Sequence, residues 1–275
     1  MLTGQRLEVL ETADAAAERA AHLIATELLD AVAERGNATL ALSGGRTPGH
    51  LLAKLAREDL PWERVHVFQV DERVAPDGDA DRNDMQIREA FATQIERRPE
   101  RFHRMPVTMP DLDAAAREYA SALRAAAGVP PILDVVHLGL GADGHTASIF
   151  PRAVLDEGRD VAVTFTHASR RRMTLTIPII NRARAIVWLV TGADKAKALA
   201  RLLRAEPGLV ATRVRRTAAA IVADADACRS ELPPHYSMTA CMTTVSKSSS
   251  IDRTDVCARM MPTRFFSGST QKCVP

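Results

Sequence analysis

Cysteine, aromatic residues and long apolar runs are scarce in this sequence of 275 residues, and each shortage excludes a class of protein. The first 227 residues contain no cysteine, which excludes a small secreted fold held by disulfides. No apolar run approaches the ~20 residues that span a bilayer, and the amino-terminal residues lack an apolar signal core. We therefore expect a cytoplasmic protein that has no membrane partner.

A strong charge of either sign is also absent. Lys and Arg total 36 and Asp and Glu total 34, so the net charge is only +2. Binding to nucleic acid or to an anionic membrane depends largely on a basic surface, and we therefore expect neither partner. The hydrophobic fraction of 46% and the charged fraction of 25% are those of an ordinary globular protein.

Short apolar runs alternate with longer helical patterns through most of the chain. This alternation is typical of an α/β protein with a largely parallel sheet. The predicted strands cover residues 38–42, 65–70, 135–140, 161–166, 173–177, 185–190 and 218–222. The predicted helices cover residues 12–34, 48–57, 84–94, 111–127 and 194–204, and the first of them can be capped by Thr12 or Asp14 and ended by Gly36.

The composition changes near Cys228, where Ser, Thr, Met and Cys replace Ala, Leu and Val without any helical or strand periodicity. We predict a domain over residues 1–227 and an atypical tail over residues 228–275, either a mobile extension or a segment foreign to the fold. The four cysteines all lie in this tail, 13, 16 and 16 residues apart. Zinc sites normally use closely spaced cysteine pairs, so we expect no metal there.

Reactive side chains follow three of the predicted strands, at the sheet edge where ligands bind in open α/β folds. The first such end, residues 43–48, reads Ser-Gly-Gly-Arg-Thr-Pro. Its backbone N–H groups could hold an anion at a helix start, although a plain strand-to-helix turn fits equally well. The second end carries Asp71, Glu72 and Arg73, which could face a sugar hydroxyl and a phosphate or form a solvated rim.

The third strand end, residues 139–146, contains a Gly-x-Gly-x-x-Gly pattern. We reject a dinucleotide site because no strand ending in an acidic residue follows about 20 positions later, and Pro151 comes soon after. This end also carries Asp143 and His145. Imidazole titrates near neutral pH, so His145 is the candidate general base, and the other seven histidines have no comparable setting.

Three segments together closely resemble the 6-phosphogluconolactonase family in order and spacing. They are residues 42–48 (Leu-Ser-Gly-Gly-Arg-Thr-Pro), 68–76 (Phe-Gln-Val-Asp-Glu-Arg-Val-Ala-Pro) and 138–151 (Leu-Gly-Leu-Gly-Ala-Asp-Gly-His-Thr-Ala-Ser-Ile-Phe-Pro). Segments 172–176 and 191–196 are similar to two later basic motifs, so the resemblance spans roughly residues 8–227. It implies a Rossmann-like α/β fold with helices on both faces of a mostly parallel sheet.

The resemblance also implies an enzyme of the oxidative pentose phosphate pathway. This hydrolase converts 6-phospho-D-glucono-1,5-lactone to 6-phospho-D-gluconate without a metal or cofactor. His145 would activate water, Asp143 would orient His145 or the substrate, and Asp71 and Asn83 would contact ring hydroxyls. The expected phosphate-binding residues are Gly44, Gly45, Arg46, Thr47, Arg73, Arg172 and Lys195.

Two features depart from the family pattern. The loop after residue 73 has Arg82-Asn83 where the family has Ser-Asn, and the tail replaces the closing helix that the family would have.

Two other functions are weighed against this one. A glucosamine-6-phosphate deaminase/isomerase resembles this fold, but Arg73 and residues 146–151 differ from the motifs of that family. A non-catalytic sugar-phosphate sensor would not need His145, and the chain has no basic helix-turn-helix segment before residue 38.

Overall fold

Ten strands and seven α-helices make up the described part of the chain, residues 5–150, 158–167 and 170–229 of a computed structural model. The strands are β1 (Gln5–Leu10), β2 (Ala38–Leu42), β3 (Val65–Gln69), β4 (Asp71–Arg73), β5 (Phe102–His103), β6 (Val135–Gly139), β7 (Val161–His167), β8 (Arg170–Leu175), β9 (Ala185–Val190) and β10 (Ala219–Asp224). The helices are α1 (Ala13–Arg35), α2 (Arg46–Leu55), α3 (Asn83–Ala90), α4 (Ala92–Arg97), α5 (Leu112–Ala127), α6 (Ile177–Arg182) and α7 (Ala196–Leu203).

Seven strands form a central sheet in the order β1-β10-β9-β6-β2-β3-β5, and all of their pairings are parallel. Parallel strands buried on both faces read as continuous apolar runs, which is why β2 and β9 were predictable from composition. Helices α1, α2 and α3 pack on one face with one group of core residues, and α5, α6 and α7 pack on the other with a second group. The predicted α/β fold with helices on both faces is confirmed.

Helix α1 has the ends that its sequence predicts. The Thr12 hydroxyl accepts a hydrogen bond from the Ala15 backbone N–H at 3.1 Å, so Thr12 and not Asp14 is the cap. Gly36 adopts a left-handed conformation (φ +78°) at the other end and donates its N–H to the Val32 carbonyl oxygen. A residue with a side chain is strained in that conformation, so the glycine ends the helix.

A second sheet of three antiparallel strands, β4-β8-β7, lies beside the central one. The sequence predicts that residues 71–73 follow the second strand, outside any strand, and that all of the strands belong to one largely parallel sheet. The structure corrects both expectations, because β4 turns away after β3 and pairs with β8. In this pairing Asp71 lies opposite Thr174 and Arg73 lies opposite Arg172.

Several other elements differ from the sequence predictions. Strand β1 was not predicted, and it pairs with β10, so β10 is not the edge of the sheet. The helix predicted over residues 84–94 is two helices that meet at Phe91, a fully buried residue. The helix predicted from residue 194 begins as a 3₁₀ turn, Ala193–Lys195, before α7. Helix α6 was also not predicted.

The last described residues remain in contact with the core. Cys228 is buried and packs with the core residues on the face covered by α5, α6 and α7. Residues 230–275, most of the predicted tail, lie outside the described residues, and the domain boundary near residue 227 stays a prediction. None of the described helices has both the length and the apolar character needed to cross a membrane.

His137 makes the fold sensitive to acid. It is fully buried in β6, neither ring nitrogen has a partner among the described residues, and burial lowers its pKa to about 4. The pKa of His137 is lower in the folded protein than in the unfolded chain. The folded state therefore has its full stability above the unfolded pKa of about 6.5 and loses stability as the pH falls toward 4.

We therefore expect proton binding by His137 in the unfolded chain to reduce the free energy of unfolding by about 2 kcal/mol between pH 7 and pH 5. His137→Leu is expected to remove this part of the pH dependence because leucine cannot be protonated. Urea unfolding of both chains at the two pH values measures the difference. An equal loss in the variant would contradict the assignment to His137.

Candidate active site

A cavity of about 610 Å³ lies at the carboxyl ends of β2, β3, β6 and β9. Small-molecule sites in proteins usually measure about 300 to 1,000 Å³. Parallel strands bring their carboxyl ends to one edge, so segments that are far apart in sequence meet here. Eight of the predicted site residues line the cavity: Gly44, Gly45, Asp71, Arg73, Asn83, His145, Arg172 and Lys195.

His145 and Asp143 form a hydrogen-bonded pair in the turn after β6. The Asp143 carboxylate accepts from His145 Nδ1 and from the His145 backbone N–H, and the Gly141 N–H donates to the His145 carbonyl oxygen at 2.8 Å. Asp143 does not line the cavity itself and reaches it through the imidazole. Partial burial acts to raise the pKa of Asp143, but its hydrogen bonds with His145 outweigh this and hold the pKa below its ordinary value.

Glycine is required at the centre of this turn. Gly144 has φ +86°, and a Cβ atom there would also overlap the side chain of Leu209. A substitution at Gly144 would therefore strain the backbone and displace the turn that carries His145.

Two guanidinium groups meet where β4 pairs with β8. Arg73 and Arg172 are directly opposite each other, and both line the cavity. Burial and the neighbouring Arg73 lower the pKa of Arg172, whose buried Nε has no hydrogen-bond partner among the described residues. The Arg172 guanidinium lies over the Phe150 ring at 5.5 Å. Like charges opposite each other on a sheet are unfavourable, so this arrangement favours a bound anion.

Asp71 and Asn83 lie together and are buried. Asn83 Nδ2 donates to the Asp71 carbonyl oxygen at 2.8 Å, and Ser148 Oγ donates to Asp71 Oδ2 at 2.5 Å. Asp71 and Glu72 are 6% and 0% exposed, so the solvated-rim interpretation of this motif is wrong. Arg73 donates to Asn83 Oδ1 and thereby joins the cation to this polar cluster.

The Gly-Gly turn after β2 leads directly into α2. A Cβ atom at Gly44 would overlap the side chain of Asn83, so glycine allows the two segments to approach closely. The Gly45 N–H donates to Gln86 Oε1 at 2.9 Å, and α2 begins at the next residue with its amino-terminal end beside the cavity. Arg46 and Thr47 contribute backbone to the first turn of α2, and their side chains lie outside the described part of the structure.

Lys195 reaches the cavity from the 3₁₀ turn that follows β9. Its Nζ lies 3.1 Å from Asp194 Oδ2, and both residues line the cavity. The turn is anchored because the Gly192 N–H donates to both carboxylate oxygens of Asp224 at 3.0 Å. Lys195 therefore adds a third cation to the site.

The predicted site residues did not include Ser43, Thr191 and Asp194, which belong to the predicted motifs and also line the cavity. Their position in the sequence could have indicated them, because each directly follows a central strand or belongs to the turn after it. Sequence reasoning also missed the buried contact between Ser148 and Asp71, which joins two segments 77 residues apart. Among the described residues, no group of three or more His, Cys, Asp or Glu side chains could hold a metal ion.

Comparison with known proteins places this chain in a family. Residues 11–223 match the family described as glucosamine-6-phosphate isomerases/6-phosphogluconolactonase. The chain belongs to this family. A relative from Synechocystis named 6-phosphogluconolactonase is 40% identical over 206 residues, which cover 73% of this chain and 86% of the relative.

Solved structures agree with the family assignment. The 6-phosphogluconolactonase from Thermotoga maritima superposes with a TM-score of 0.70 at 27% identity, over 80% of this chain and 98% of that one. A monomeric glucosamine-6-phosphate deaminase superposes with a TM-score of 0.71 at 20% identity, over 81% of this chain and 98% of that one. At 20% identity, the similarity to the deaminase shows only that the two chains have the same fold.

Proposed function

We propose that this protein is a 6-phosphogluconolactonase, which hydrolyses 6-phospho-D-glucono-1,5-lactone to 6-phospho-D-gluconate in the oxidative pentose phosphate pathway. The observation that carries the proposal is a single cavity lined by His145, which is hydrogen-bonded to Asp143, and by three cations. A phosphorylated lactone requires both, because its phosphate is anionic and its carbonyl carbon reacts with an activated water. The relatives named 6-phosphogluconolactonase support the same substrate.

The proposed chemistry uses His145 first as a base and then as an acid. Because Asp143 accepts a hydrogen bond from Nδ1, the neutral imidazole carries its proton there and its lone pair on Nε2. Nε2 removes a proton from water as the water oxygen bonds to the lactone carbonyl carbon. The bond from this carbon to the ring oxygen then breaks, and the imidazolium returns the proton to that oxygen. Asp143, ionised at neutral pH, stabilises the imidazolium between the two steps.

The cations and the polar cluster hold the substrate during these steps. Arg73, Arg172 and Lys195 neutralise the phosphate, and the amino-terminal end of α2 adds its dipole. Asp71 and Asn83 contact ring hydroxyl groups. The described residues thus supply the base and the positive charge that the proposed steps require.

We expect Asp143→Asn to reduce kcat by about 10- to 100-fold and to leave KM almost unchanged. The amide keeps the shape of the side chain but lacks the charge that stabilises the imidazolium and selects its tautomer. Steady-state kinetics on the lactone measure both constants. Asp113→Asn, at an exposed position in the first turn of α5, serves as the control, and a normal kcat for Asp143→Asn would contradict the assigned role.

The function itself is tested by acid release from freshly generated 6-phosphogluconolactone, measured against its spontaneous hydrolysis. Glucosamine 6-phosphate is assayed in parallel for ammonia release. We expect catalysed hydrolysis of the lactone and no ammonia. Ammonia release would favour the deaminase, and binding of 6-phosphogluconate without lactone hydrolysis would favour a non-catalytic sensor.

A further inference from the structure

Glu72 is a fully buried carboxylate that accepts several hydrogen bonds. Its Oε1 accepts from the backbone N–H groups of Arg73 and Asn83, both at 2.8 Å. Its Oε2 accepts from the Asp84 backbone N–H and from Gln69 Nε2, also at 2.8 Å. Two of these backbone donors, Asn83 and Asp84, are the first two residues of α3, so Glu72 caps this helix from outside it.

Glu72 does not line the active-site cavity, but it holds the backbone of two residues that do. Arg73 and Asn83 both line the cavity, and their side chains bond to each other. Asn83 also donates to the carbonyl oxygen of Asp71. One carboxylate group therefore sets the position of a cation in β4 relative to an amide at the start of α3.

The charge of Glu72 is balanced by Arg82, which precedes α3. Arg82 is 1% exposed, its Nε lies 3.5 Å from Glu72 Oε2, and its Nη1 pairs with Asp77. A buried carboxylate without a nearby cation would be costly, and an ion pair compensates that cost. The Glu72–Arg82 pair thus permits an ionised group to lie behind the site.

From these contacts we infer that Glu72 is a positioning residue of the reaction, which acts on the substrate through Arg73 and Asn83. The inference rests on the proposed lactonase activity. Removal of the carboxylate frees the start of α3 from β4, and a displacement of about 1 Å in groups that hold a substrate is enough to slow a reaction by about 10²-fold.

The first test is Glu72→Gln, which keeps the side-chain shape but replaces one acceptor oxygen by an NH₂ group that faces backbone donors. We expect kcat/KM for the lactone to fall by about 10²-fold. The matched control is Asp134→Asn. Asp134 is another buried carboxylate that accepts from the backbone N–H and the hydroxyl of Thr39, but it precedes β6, at the sheet edge opposite the cavity. This control is expected to lose stability and to keep both kinetic constants.

The second test separates positioning from stability. Glu72→Gln leaves the buried Arg82 with Asp77 as its remaining ion-pair partner, so this variant is expected to melt at a lower temperature or to fold poorly. The double variant Glu72→Gln, Arg82→Met removes both charges and is expected to melt at a higher temperature than Glu72→Gln, because no buried guanidinium has lost its carboxylate. If Glu72 positions the site, kcat/KM stays low in the double variant. Recovery of kcat/KM together with the melting temperature would show a purely structural role and overturn the inference.

A readout independent of lactone hydrolysis is the affinity for inorganic phosphate, measured by calorimetry. We expect it to weaken about tenfold in the double variant, because Arg73 is displaced, and to be unchanged in Asp134→Asn. If the parent failed to hydrolyse the lactone, the proposed function would be wrong, and phosphate affinity would still decide the inference. Equal affinity in the parent and the double variant would refute it.

Discussion

His145→Ala is expected to lower kcat on 6-phosphogluconolactone by about 10²- to 10⁴-fold, the usual contribution of a positioned general base. The physical reason is that the variant retains the cavity and its cations but has no group to take the proton from water. Because these groups also hold the substrate, KM is expected to change little.

The appropriate control for this experiment is His22→Ala. His22 is exposed on α1, so its removal tests only the loss of an imidazole from the surface. The rates are compared with spontaneous lactone hydrolysis in the same buffer. A His145→Ala variant with near-normal kcat would exclude His145 as the base and make Asp143 the next candidate.

Arg172→Ala and Lys195→Ala are each expected to raise KM by about 10- to 100-fold with a smaller change in kcat. Each removes a charged hydrogen-bond donor to the phosphate, and such bonds contribute about 1.5 to 3 kcal/mol. A phosphate that is remote from the reacting carbonyl is held similarly in the ground state and the transition state, so its loss appears in KM.

Each of these variants has a neighbouring control. Arg171→Ala removes an exposed arginine from the same strand, whose side chain points away from that of Arg172 because strand residues alternate between faces. Lys197→Ala removes an exposed lysine from α7. Calorimetry with 6-phosphogluconate gives affinities for all four variants. If Arg172→Ala instead lowered kcat at constant KM, Arg172 would contact the carbonyl oxygen of the lactone. The Phe150 ring lies next to both groups, because the Arg172 guanidinium is 5.5 Å from its centre and the His145 ring is 4.7 Å from it.

The active-site motifs were predictable because each one is local. The turn at residues 43–45, the pair Asp143 and His145, and the cation Lys195 all follow a central strand within a few residues. An apolar run long enough to be buried on both faces predicts such a strand, and the parallel arrangement brings the strand ends together. The turn and the Asp143–His145 pair could therefore be predicted at one sheet edge, whereas Lys195 was predicted through the resemblance to the family.

Elements whose partners are distant in sequence were not predictable. Strand β1 is six residues long and has only three apolar residues, too few to mark a buried strand, and its pairing with β10 makes it a strand. Strand β4 has three residues and exists because it pairs with β8, about 100 positions later. The helix over residues 84–94 is interrupted because Phe91 turns into the core, which periodicity alone does not reveal.

The sequence alone therefore determined the α/β class, the central strands and the ends of α1, since these depend on local periodicity and on capping, and its motifs predicted the candidate site residues. The tertiary structure decided that Arg73 faces Arg172, that Ser148 bonds to Asp71, and that Glu72 lies buried behind Arg73 and Asn83. These contacts join segments of the chain that no local pattern relates. They form because a buried charge or polar group needs partners, and only the folded chain brings those partners within hydrogen-bonding distance.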